Sequence, residues 1–122
     1  MTYEKLFLAF VTLLVMHWVA DFVLQTRWMA NNKSSNWWAL SAHVLAYTGG
    51  IAVFAFGTLG LGAWKFLLVN GALHFVTDAV TSRITKLLWM KKMEWEFFCI
   101  IGYDQLIHQL CLAITLWWFF VP

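Results

Sequence analysis

His17-Trp18-Val19-Ala20-Asp21-Phe22-Val23-Leu24-Gln25 lies near the end of an apolar run that opens at Leu6. A histidine, a carboxylate and an amide recur there at every fourth position. On an α-helix that interval stacks the three side chains on one face. Between Lys5 and Arg27 stand 21 residues without a basic side chain, enough for one membrane-spanning helix of about 20 residues. Ionisable groups inside a bilayer are costly, face the protein interior and mark function. The stretch therefore predicts two things at once: an all-α membrane fold, and a polar site within it.

The composition points the same way. Hydrophobic residues make up 62% of the 122-residue chain and charged residues 11%, with a mean hydropathy of +0.72. Soluble domains carry about 25% charged residues, so this chain cannot cover a surface that faces water on all sides. Its length fits a single transmembrane domain, residues 1–122. A net charge of +2 with no basic run interleaved with aromatics argues against a nucleic-acid partner. Cys99 and Cys111 fall on one expected helix, about 18 Å apart along its axis. That separation is too long for a disulfide, and both read as apolar filler. The first apolar run has three polar groups and no clean small-residue cleavage site, so it reads as a retained anchor rather than a signal peptide.

Working outward, spans are expected at about 6–26, 37–56, 63–83 and 97–120. The polar stretch Met29–Asn36 reads as a loop, with Ser35 or Asn36 capping the next helix. Gly57, Gly60 and Gly62 read as a short turn. Arg83 to Glu96 reads as a water-facing connector with room for a short amphipathic helix lying on the membrane. Trp37-Trp38 and Trp117-Trp118 mark interfaces. Four spans with short connections predict an antiparallel, up-down four-helix bundle, with Ala46, Gly50, Gly71 and Gly102 as points of close approach. The 1–2 and 3–4 connectors hold Arg27, Lys33, Arg83, Lys86, Lys91 and Lys92, whereas the other side holds only Lys5 and Lys65. The positive-inside rule then places both termini on the non-cytoplasmic side.

All four histidines (His17, His43, His74, His108) and all three aspartates (Asp21, Asp78, Asp104) fall inside expected spans, whereas Glu4, Glu94 and Glu96 fall at ends or in a connector. In an up-down topology the seven come to similar depth in the cytoplasmic half. Imidazoles and carboxylates together suit a divalent metal: Zn²⁺ first, Fe²⁺ or Mn²⁺ as the other candidates, one ion or two. Gln25, Asn70, Gln105 and Gln109 are candidates to orient ligands or substrate. Asp104 is the candidate general base. Thr77 and Thr81 are expected to bond their own helix backbone, and Tyr47 and Tyr103 to be packing or interfacial residues. Blander readings stand beside these. A lone histidine such as His43 serves packing as readily as coordination, and His–Asp pairs also fix tautomers or relay protons. HExxH, GxSxG, P-loop and GxGxxG motifs are absent.

The patterns His17-x-x-x-Asp21-Phe-x-Leu-Gln25, His74-x-x-x-Asp78 and Asp104-Gln105-x-x-His108 resemble those of a small bacterial and phage membrane family of unknown function. That resemblance implies a multi-pass protein of the bacterial inner membrane. More distantly the chain looks like the integral-membrane metal-dependent hydrolases, which would imply metal at His17, Asp21, His74, Asp78, Asp104 and His108, with hydrolysis as the activity. The leading expectation is thus a metal-dependent hydrolase acting on a lipid-like substrate in the bilayer. A proton or metal-ion transporter or channel subunit, working as a homo-oligomer, is the alternative. A small structural partner of a membrane complex is the third.

Overall fold

The computed structural model describes residues 1–121. Helix α1 (Tyr3–Trp18) runs directly into a π-helical turn (Val19–Val23). It is followed by a short α2 (Arg27–Asn32), then α3 (Trp37–Leu59), a 3-10 turn (Leu61–Ala63), α4 (Trp64–Met90) and α5 (Glu94–Phe120). No strand occurs among the described residues. α3 packs on α1, α2 and α4, and α5 packs closely on α4 and more lightly on α1.

Three stretches, Tyr3–Val23, Trp37–Leu59 and Glu94–Phe120, are long and apolar enough to cross a membrane. α4 is as long as α5, at 27 residues, but not as apolar. Its two faces explain why. Asn70, His74, Asp78, Thr81, Ser82 and Thr85 are buried, whereas Leu68, Val69, Leu73, Val76, Val80, Ile84 and Leu87 are exposed. Polar inside and apolar outside is the arrangement a bilayer favours, and averaging over the two faces hides it.

The helix ends follow local chemistry. Thr2 caps α1 through its hydroxyl, which accepts from the Lys5 amide, and Glu4 complements the positive end of the helix dipole. The Thr26 hydroxyl accepts from the Met29 amide and starts α2. The polar stretch read as a loop is therefore helical as far as Asn32. Its asparagines and serines hide the helix from a propensity reading, but a cap and docking on α3 are enough to form it. Asn36 caps α3 as expected, its Oδ1 accepting from the amides of Trp38 and Ala39 at 2.8 and 3.3 Å. Gly60, at φ 79°, ends α3 in the left-handed region.

The connector expected at Arg83–Glu96 is mostly helix. α4 continues to Met90, and Lys91-Lys92-Met93 alone turn the chain, with Lys92 at φ 57°. Burial of Ser82 and Thr85 extends the packed face of α4, and the rings of Trp89 and Phe97 meet across the turn at 5.1 Å. No separate helix remains to lie on a membrane surface.

Two of the expected close approaches occur. A Cβ on Gly50 would stand 2.9 Å from Ala20 Cβ and Leu24 Cδ1, and one on Gly71 would stand 2.9 Å from Thr48 Oγ1. A Cβ on Gly102 would meet nothing within 4 Å, so that glycine faces open space rather than a helix.

The interior divides into two ends. Leu13, Ile51, Phe54, Ala55, Phe66, Leu112 and Leu116 form an apolar core. Beyond it, His17, Asp21, His43, His74, Asp78, Asp104 and His108 are all buried at the other end.

Candidate metal centre

Four side chains from three elements aim one atom each at a common point. The π-helical turn supplies Asp21. A π turn fits an extra residue into one turn of helix, and such turns recur at functional sites. Asp21 Oδ1 stands 3.1 Å from His43 Nε2, on the first turns of α3, and 3.4 Å from His74 Nε2, in the middle of α4. The two Nε2 atoms are 3.1 Å apart. Asp78, one turn after His74, places Oδ2 at 3.2 Å from His43 Nε2 and 3.8 Å from His74 Nε2. The remaining pair, Asp21 and Asp78, lies within 4.8 Å.

These spacings fit a tetrahedral ion. Ligand atoms about 2.0–2.2 Å from a central Zn²⁺ stand about 3.3–3.6 Å from one another. Asp21 Oδ1 is buried without a hydrogen-bond partner despite two imidazole nitrogens close by, whereas the two Nε2 atoms are within hydrogen-bond distance of each other. Two carboxylates this close in a buried site also need positive charge between them.

The chain already holds one cation there. Lys33, just past α2, donates from Nζ to Asp78 Oδ2 at 2.7 Å, and the same Nζ lies 3.5 Å from His43 Nε2. In the sequence Lys33 reads only as a charge flanking the first two spans. No helical spacing points to it, since it reaches the site from a separate short helix.

Residues 9–122 match the model of a family described as Protein of unknown function (DUF3307). The chain belongs to this family. No curated protein and no solved structure matches it significantly.

In this DUF3307 protein the other candidate residues sort by contact. His17 Nε2 bonds Gln105 Oε1 at 3.0 Å, and its Nδ1 meets the Tyr47 hydroxyl at 3.3 Å. Nε2 then carries the proton and Nδ1 accepts, a tautomer assigned from the network. Both nitrogens are engaged in these bonds, and His17 also stands with Asp21 and His108 in a second grouping able to hold a metal ion. Gln105 Nε2 donates to Asp21 Oδ2 at 3.0 Å and to Asp104 Oδ2 at 3.1 Å, tying α5 to the π turn. His108 sits beyond Asp78, with Nε2 at 3.5 Å from Asp78 Oδ1 and Nδ1 at 3.5 Å from Asp104 Oδ2. It belongs to two further possible metal groupings, with His17 and Asp21 and with Asp78 and Asp104.

Tyr47 is not a mere packing residue. Its ring stacks on His74 at 3.7 Å between centroids, and His108 stacks on His74 at 4.2 Å. The Nδ1 atoms of His43 and His74 have no partner, so the His74 ring is held by these stacks and by its Nε2 contact with His43. The signal was present in the sequence, because Tyr47 stands four residues after His43. Asn70 goes the other way. Its amide donates to the Phe66 carbonyl and to Thr115 Oγ1, one helical turn before His74. Gln25 follows the end of the π turn and borders a cavity, its Oε1 buried and unpartnered. Thr77 and Thr81 bond their own helix as expected, but the Thr81 hydroxyl also reaches Asp104 Oδ1. Asp104 thus has both oxygens held by donors while it borders the cavity.

Proposed function

We propose that this DUF3307 protein is an integral-membrane metal-dependent hydrolase. The ion is Zn²⁺ by preference, held by Asp21, His43, His74 and Asp78 in the cytoplasmic half of an antiparallel, up-down four-helix bundle. The observation that carries this reading is the convergence of those four ligand atoms at spacings suited to a tetrahedral ion. The exposed apolar face of α4 supports its crossing the membrane with the other three long helices. The closure of contacts from α1 through α3 and α4 to α5 and back to α1 supports the bundle.

A divalent ion of this kind polarises a scissile carbonyl or phosphoryl group and brings the pKa of water near neutrality. The side chains do the rest. Asp104 accepts a proton at Oδ2 from water arriving through the cavity, while Thr81 and Gln105 hold the carboxylate in place. His108, between Asp104 and Asp78, is placed to take that proton onward. The transport reading has less support, because the apolar core closes the other end of the polar cluster.

Elemental analysis of detergent-purified protein tests the reading without a choice of substrate. Stoichiometric metal in the wild type, lost in His74→Ala, is the expected result. Wild type free of metal after purification without chelator, and unable to take it up, would end the proposal.

A further inference from the structure

A cavity of about 580 Å³ opens beside the cluster, between the π turn and the start of α5. Its lining is of two kinds: the cationic and hydroxyl side chains Lys33, Lys86 and Ser82, and the aromatic side chains Phe22, Trp89 and Phe98. Asp21, Asp104 and Gln105 also border it and connect it to the cluster. Ser82 is nine-tenths buried, yet its hydroxyl has no hydrogen-bond partner. It also borders a smaller void shared with Lys33, Asp78 and Asp104. A buried hydroxyl without a partner costs free energy unless a ligand or water completes it.

Charge narrows the class of ligand. A divalent ion would neutralise Asp21 and Asp78, and so release Lys33 from its bond to Asp78. Lys33 and Lys86 would then border the cavity against the single free carboxylate of Asp104, which leaves its lining positive. Two ammonium groups and a free hydroxyl suit the oxygens of a phosphate. The aromatic side chains of the same lining suit a hydrocarbon chain. Trp28, Trp89 and Trp95 are exposed at this end of the molecule, as interfacial tryptophans are at headgroup depth.

We infer that this cavity binds a phosphate-headed membrane amphiphile, with Lys33, Lys86 and Ser82 on the phosphate and Phe22, Trp89 and Phe98 against the chain. The inference rests on the hydrolase reading for its functional sense, since it names the substrate class of that site.

Binding to detergent-solubilised full-length protein tests it, with three probes: a short-chain lysophosphatidate, the monoacylglycerol of the same chain, and inorganic phosphate. The lysophosphatidate should bind saturably, at least about tenfold tighter than either other probe, as loss of one charge-assisted contact implies. Lys86→Gln should weaken it about tenfold and leave monoacylglycerol binding unchanged. Lys86 is exposed, so this variant keeps the fold; Ser82→Ala, which leaves no orphaned hydroxyl, should weaken the same probe alone. Equal binding of monoacylglycerol would overturn the phosphate assignment, and equal binding of inorganic phosphate would overturn the amphiphile. The metal content of the same preparation separates the two failures. Metal without selective lysophosphatidate binding sinks this inference alone; selective binding by protein that never holds metal sinks the hydrolase reading and leaves the phosphate to Lys86 and Ser82, since Lys33 then stays on Asp78.

Discussion

Lys33 presents the sharpest question at the scale of a single residue. Its ammonium bonds a ligand oxygen of the proposed centre, so it competes with any ion for Asp78. In metal-free protein it is also the cation that makes burial of Asp78 tolerable, since an unpaired buried charge costs about 3–5 kcal/mol. Lys33→Met should therefore lower the melting temperature of metal-free protein and raise metal affinity together. Thermal melts in detergent, with and without added Zn²⁺, check both. A metal-free melt unchanged by the substitution would show that the 2.7 Å pair does not hold Asp78. Gln105 poses a different case. It bonds His17, Asp21 and Asp104, and loss of a partner that orients ligands costs about 10–100-fold in metal affinity. Gln105→Leu should show that loss in a chelator-competition titration while the helical content stays constant. These two residues also mark where reading by spacing succeeds and stops. The His17/Asp21, His74/Asp78 and Asp104/His108 pairs were visible because one helix carries both members. Lys33 was not, because tertiary contact alone gives it meaning.

Among the elements, the π turn and α3 depend on each other. Gly50 lets α3 approach within contact of Ala20, whose neighbour Asp21 carries the ligand oxygen. A side chain at position 50 must push that turn away. Gly50→Val should leave the helices formed but weaken metal binding at least about tenfold, because ligand atoms must stay within ±0.2 Å of the ideal distances. Gly102→Ala is the matched control and should bind as the wild type does, since open space surrounds it. Isothermal titration with Zn²⁺ compares the two. Equal loss in both would mean that close approach at Gly50 does not position Asp21. The sequence showed the long helices and the Asn36 cap through hydrophobic runs and local chemistry. It did not show the π turn, because Val19–Val23 is as apolar around Asp21 as a regular helix would be. Nor did it show α4 running to Met90, because Arg83 and Lys86 resemble the end of a span.

For the whole molecule, polar and apolar material is segregated along the helices. The histidines and aspartates gather at the end where α1 finishes, α3 begins, α4 finishes and α5 begins. That end also carries Arg27, Lys33, Arg83, Lys86, Lys91 and Lys92, against Lys5 and Lys65 at the other. Basic residues close to a span resist translocation, so the site end should face the cytoplasm and draw its substrate from the inner leaflet. Thiol labelling of whole cells tests this in a background where Cys99 and Cys111 are replaced by alanine. A cysteine introduced by Lys92→Cys, in the exposed turn between α4 and α5, should react with a membrane-impermeant maleimide only after the cells are opened. One introduced by Thr2→Cys should react in intact cells. The reverse pattern would place the cavity mouth outside, and any amphiphile reaching Lys86 and Ser82 would then come from the outer leaflet.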